Sequence, residues 1–79
     1  MTTYYFNFRD TDGTLVADIE GVELQTEDDV REEAVTAARQ MMAERLRSSG
    51  GVDRSRAFEI ADGDGNLVLT LVFGDALRN

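Results

Sequence analysis

The side chains able to do chemistry in this chain are carboxylates, arginines, two tyrosines and hydroxyls. Its 79 residues carry 16 Asp plus Glu and eight cationic groups, all Arg, for a formal net charge of −8; His, Cys, Lys, Trp and Pro are absent. Without Cys there is no thiol nucleophile, disulfide or redox role, and without Cys and His no zinc site of the usual kind. Without His the commonest general base near neutral pH is missing, along with the Ser-His-Asp arrangement. Without Lys there is no Schiff-base chemistry and no phosphate-loop lysine. No catalytic residue, cofactor site or metal ligand is assigned, and a non-enzymatic protein is expected.

Four groupings remain. The turns Asp10-Thr11-Asp12-Gly13 and Asp62-Gly63-Asp64-Gly65-Asn66 offer clustered oxygens of the sort hard cations want. Neither fits an EF-hand loop: counted from Asp62, the glycine position falls on Leu67 and the bidentate Glu position on Phe73. Hairpin turns explain both segments. The acids Asp18, Glu20 and Glu23 could serve as an acid–base pair only if their environments separated their pKa values. A solvated edge strand accounts for them better, and an acidic patch docking a basic partner is their functional reading. An enzyme built from Asp18, Glu20 and an Arg would need a deep cleft, which one helix over one sheet does not readily provide. Arg45, Arg47, Arg54 and Arg56 around Ser48-Ser49-Gly50-Gly51 look like an anion cradle. They follow a helix C-terminus, however, where Arg complements the negative end of the dipole. Tyr4, Tyr5 and Phe6 lack the basic surround of a nucleic-acid stacking platform.

Charge is distributed unevenly. Ten acids and one Arg lie between Asp10 and Glu33, whereas five Arg oppose two acids between Arg39 and Arg56. A chain at −8 repels phosphates, so no nucleic-acid partner is expected. The longest apolar run, Leu67 to Phe73, is too short to span a bilayer. The N-terminal residues show no signal-type segment, so a cytoplasmic location and no membrane partner are expected.

The elements that position these groups follow from periodicity. Tyr4, Phe6 and Phe8 alternate with Tyr5, Asn7 and Arg9, as a strand with one buried face. After the first Asp-rich turn, Leu15, Ala17 and Ile19 alternate with Val16, Asp18 and Glu20, which predicts the second strand of a hairpin. Thr26 is placed as an N-cap before an acidic first turn, with a helix from about Glu27 to about Arg47 stopped at the glycines. Its apolar stripe is Val30, Ala34, Ala37, Ala38 and Met41, widened by Val35, Met42 and Leu46. A connector, Val52 to Arg56, leads to the strand Ala57–Ala61. The second Asp-rich turn then leads to a strand Leu67–Phe73, with Leu67, Leu69, Leu71 and Phe73 on one face and Val68 and Val72 making the other apolar too. That strand is expected to be central, or covered on its second side by another chain. In the tail, Gly74 to Asn79, Leu77 is placed to tuck back. A weak repeat aligns Phe6 through Val16 with Phe58 through Val68, which two similar hairpin turns explain without duplication.

These elements predict one domain over residues 1–79. Its class is α+β: a two-layer ββαββ arrangement, a four-stranded mainly antiparallel sheet with one long helix on one face. The strand order favoured is second, first, fourth, third. About 4,800 Å² is expected to remain exposed, enough burial for one thin core.

The chain resembles a group of short proteins, mostly from alphaproteobacteria, known only as a domain of unknown function. The resemblance rests on Tyr4-Tyr5-Phe6-Asn7-Phe8-Arg9-Asp10, Asp18-Ile19-Glu20-Gly21-Val22-Glu23-Leu24 and the Ala-rich helix from Arg31 to Arg39. It continues through Phe58-Glu59-Ile60-Ala61-Asp62 and Leu69 to Leu77. Members often carry a His near the position of Asn7, which this chain lacks. The resemblance implies this fold and length and no activity. The functional expectation is a small protein-interaction module, a homodimer or a partner of another protein, engaging Asp18, Glu20, Glu23, Arg45, Arg47, Val68 and Val72. The alternative is a small-ligand or divalent-metal-binding domain using the acidic turns.

Overall fold

The computed structural model describes residues 1–51 and 53–77. Val52, in the connector, and Arg78 and Asn79, in the tail, lie outside the described residues. Strand β1 (Thr2–Arg9) is followed by β2 (Leu15–Val16), β3 (Val22–Leu24), helix α1 (Glu27–Ser49), β4 (Ala57–Ala61) and β5 (Leu67–Val72). A 3₁₀ turn, Phe73–Leu77, closes the described chain. The class is α+β: one long helix and an antiparallel sheet in the order β2-β1-β4-β5, with β3 also pairing β1.

Two expectations about the sheet's topology are corrected. The strand expected over residues 15–20 is split, which makes the sheet five-stranded. It pairs Phe8 with Val16, leaves the sheet, and returns with Val22 opposite Tyr4. Four steps along β1 are thus opposed by six along residues 16–22, and the intervening residues loop out. Leu15, Ala17 and Ile19 are exposed rather than buried, Ile19 at 89%. The strand order is also corrected. β4 is central, since it pairs β1 through Phe8 and Phe58 and β5 through Phe58 and Leu71; β5 is at the edge. Apolar residues on both faces of β5 suggested centrality, but the tight turn after Ala61 returns β5 beside β4 on its outer side.

Local chemistry explains the elements. The Asp29 N–H donates to Thr26 Oγ1 at 3.1 Å, capping α1, and Gly50 ends it at φ 75°. Only glycine takes that conformation without strain. At the two Asp-rich turns the same geometry recurs: Gly13 N–H donates to Asp10 C=O at 3.0 Å, and Gly65 N–H to Asp62 C=O at 3.1 Å.

The core lies between α1 and one sheet face. Val30, Ala34, Ala38 and Met42 of the helix meet Tyr4, Phe58, Ile60, Leu71 and Phe73. Phe58 and Phe73 stack tilted with centroids 5.1 Å apart, and Phe6 meets Phe58 edge-on at 5.9 Å. Ala34 and Ala38 are fully buried, so the helix approaches the sheet closely there. Ala37, Val35 and Met41 pack at its margin, while Leu46, expected in the stripe, is 52% exposed because the helix outruns the sheet. A bulge opposite Ile60 and Ala61 breaks the alternation of β5, leaving Leu67 64% exposed while Leu71 stays buried. Leu77 does not tuck back; Ala76 is buried instead.

Candidate functional site

The expected interaction residues fall into three places. Asp18, Glu20 and Glu23 lie along the edge formed by β2 and β3, Val68 and Val72 on β5 at the opposite edge, and Arg45 and Arg47 near the end of α1. They do not form one patch.

At the first edge Asp18 is half-buried and engaged. Its Oδ2 accepts the Phe6 N–H at 3.0 Å, and its Oδ1 accepts the N–H groups of Glu20 and Gly21, each at 3.2 Å. The Asp18 N–H in turn donates to Asn7 Oδ1 at 2.9 Å. The side chain thereby supplies the acceptor that a continuous second strand would have offered β1. Partial burial acts to raise the Asp18 pKa, but the N–H groups of Phe6, Gly21 and Glu20 outweigh it and the net shift is downward. Gly21 completes the device at φ 74°, where an added Cβ would stand 2.7 Å from Thr3 Cγ2. Asp18 was expected as an outward edge acid, and its carboxylate is instead a structural acceptor; Glu20 and Glu23 are exposed. A signal was available: an Asp side chain can accept the backbone N–H two residues on, as Asp18 does from Glu20, and the Gly that follows permits the turn at positive φ.

The Asp-rich turns use their oxygens similarly. Asp12 Oδ1 accepts the Thr14 N–H at 2.9 Å, and Asp62 Oδ1 accepts those of Asp64 and Asn66 at 2.9 Å. These bonds hold both carboxyls below the usual range, chiefly through the N–H groups of Thr14 and Asn66. Among the described residues no group of three or more acidic side chains is placed to hold a metal ion.

The arginines also separate. Arg47 pairs with Glu44 at 2.7 Å. Arg56 lies 3.3 Å from Asp10 and 5.5 Å from the Phe8 ring centroid, taking it out of the supposed cradle. On the sheet face away from α1, Arg9 donates to Glu59 through Nε at 2.9 Å and through Nη2 at 3.1 Å. That fork, which the sequence reading missed, lowers the Glu59 pKa. The two depressions that stand out are shallow, one along Ala37, Met41 and Glu44 on the helix, the other at Arg45, Ser49 and Asp53.

At the second edge, β5 pairs β4 on one side and no strand on the other among the described residues. Its six residues, Leu67-Val68-Leu69-Thr70-Leu71-Val72, carry no charge. Val72 is 39% exposed and Val68 half-buried. Natural sheets usually blunt such an edge with charge, brevity or a bulge that turns it away. The β2–β3 edge has all three devices: two- and three-residue strands, a looped-out segment, and Glu20 and Glu23. Apart from the bulge at its start, β5 has none.

A family model described as "Domain of unknown function (DUF6894)" matches residues 3–74, and the chain belongs to that family. No curated protein and no solved structure matches it. No helix among the described residues is long and apolar enough to cross a membrane.

Proposed function

We propose that this member of the DUF6894 family is a non-enzymatic, cytoplasmic protein-interaction module that docks a partner chain along the free edge of β5. The observation that carries the reading is that edge itself: six uncharged residues with no strand paired on the outer side among the described residues. Strand addition supplies main-chain hydrogen bonds to such an edge, while the flanking side chains select the partner. The single-helix, single-sheet build leaves shallow surfaces, which suit macromolecular docking better than enclosure of a small substrate. The test is capture from host cells with the tagged protein and its Thr70→Lys variant. Thr70 is exposed and mid-strand, so the added charge spoils the edge and leaves the core alone. The expected result is a partner, or an untagged second copy, held by the parent and lost with a folded variant. Equal capture by both, or nothing held by either, overturns the reading.

A further inference from the structure

We infer that the occupant of the β5 edge is a second copy of this chain, paired antiparallel about a two-fold axis at Thr70. The inference rests on the docking reading above and names its partner.

An edge that pairs with itself must bring residues of the same face together, so partners i and j of the two copies add to an even number. The regular ladder with β4 runs from Leu69 to Val72, beyond the bulge. The even register that uses this segment and stays within β5 sets Thr70 opposite Thr70, Leu69 opposite Leu71 and Val68 opposite Val72. Thr–Thr and apolar cross-strand pairs are favourable ones. An isologous contact of this kind also closes, giving a dimer rather than a fibre.

Charge selects a second copy at this edge and disfavours one at the other. Each copy carries −8, so copies repel wherever acids meet. The β2–β3 edge presents Glu20 and Glu23, whereas the six residues of β5 carry no charge, and the nearest acids along the chain, Asp64 and Asp75, lie beyond its two ends. The helices then fall into complementary order. α1 begins after β3, at the Thr2 end of the sheet, and its chain returns into Ala57, opposite Arg9 at the other end. It therefore runs in the same sense as β5, and a two-fold at Thr70 sets the two helices antiparallel on one face of a continuous sheet. The acidic start of each helix (Glu27, Asp28, Asp29) lies toward the arginine-bearing end (Arg45, Arg47) of the other.

A six-residue edge alone falls short of the roughly 800 Å² per partner typical of stable complexes, so side chains beside the seam must contribute. Leu67 and Val72 are exposed on β5. Leu46, also exposed, lies two helical turns beyond Arg39, whose Nε donates at 2.8 Å to the Ala76 carbonyl in the turn after β5.

The chain has no cysteine, so Thr70→Cys introduces a single thiol. Opposed at the two-fold, the pair would lie within the Cα separation a disulfide needs. Mild oxidation is expected to give a covalent dimer from Thr70→Cys and none from Thr36→Cys, which is exposed on α1. Sedimentation equilibrium is expected to give twice 8.8 kDa for the parent and 8.8 kDa for Thr70→Lys. A parent of 8.8 kDa at every concentration, or cross-linking no faster at 70 than at 36, overturns the inference. If the parent is monomeric and Thr70→Lys still loses a captured partner, this inference fails and the docking reading stands. If Thr70→Lys unfolds, the cysteine pair decides alone.

Discussion

At Phe6, β1 presents an N–H where its neighbouring strand has looped away, and the Asp18 carboxylate accepts it while also collecting the N–H groups of Glu20 and Gly21. Replacing Asp18 by Ala leaves three donors without that acceptor. A loss of about 2 kcal/mol is expected, as for a charged hydrogen-bond network. In a domain of this size that lowers the melting temperature by about 8–16 °C, read by circular dichroism. Because the folded pKa of Asp18 is depressed, its stabilisation is complete above about pH 4 and is lost as pH falls through the folded value. Asp12, Asp53, Glu59 and Asp62 shift in the same direction. The parent is therefore expected to hold its melting temperature from neutrality to about pH 5 and lose it below about pH 4, with Asp18→Ala showing a shallower acid limb. Gly21→Ala meets both a positive φ and Thr3 Cγ2. It is expected to cost at least about 1–2 kcal/mol in denaturant unfolding. The alternation from Leu15 to Glu20 hid all this, because period two describes a strand whether or not a side chain has taken over its hydrogen bonds.

At the scale of elements, the helix was legible nearly to the residue. Thr26, the acidic first turn and Gly50 each act locally, so nothing distant could overrule them. The hairpin turns were legible for the same reason. The place of β5 was not, since an apolar strand reads alike at the centre of a sheet and at an exposed edge; only the pairing partner distinguishes them. Leu46 misled similarly, because the wheel gives the side of a helix and not where the sheet beneath it ends. Ala34 and Ala38, fully buried on the packed face of α1, make a sensitive test of the packing. Ala38→Leu is expected to destabilise by about 1–3 kcal/mol through overpacking, although leucine suits a helix well. A rise in stability would mean that the two layers are looser than the burial implies.

Taken whole, the molecule is long and thin. Its extents are 37 × 26 × 18 Å, the longest set by a 23-residue helix. It exposes 5140 Å², near the about 4,800 Å² expected for its mass. One thin core supports it, and the −8 charge is graded from an acidic first half to arginines around the helix end. Sequence showed that gradient but not which surface it serves. The fold sets a guarded, acidic edge on one side and an uncharged one on the other, and the central claim is that the uncharged edge is where a partner chain adds. Residue-resolved amide exchange as a function of protein concentration tests this most directly. Alternate amides of Leu67–Val72, those facing away from β4, are expected to gain protection as concentration rises, while the β2 and β3 amides stay unchanged. Exchange at β5 that is fast and independent of concentration, or protection gained at β2 and β3 instead, would contradict it.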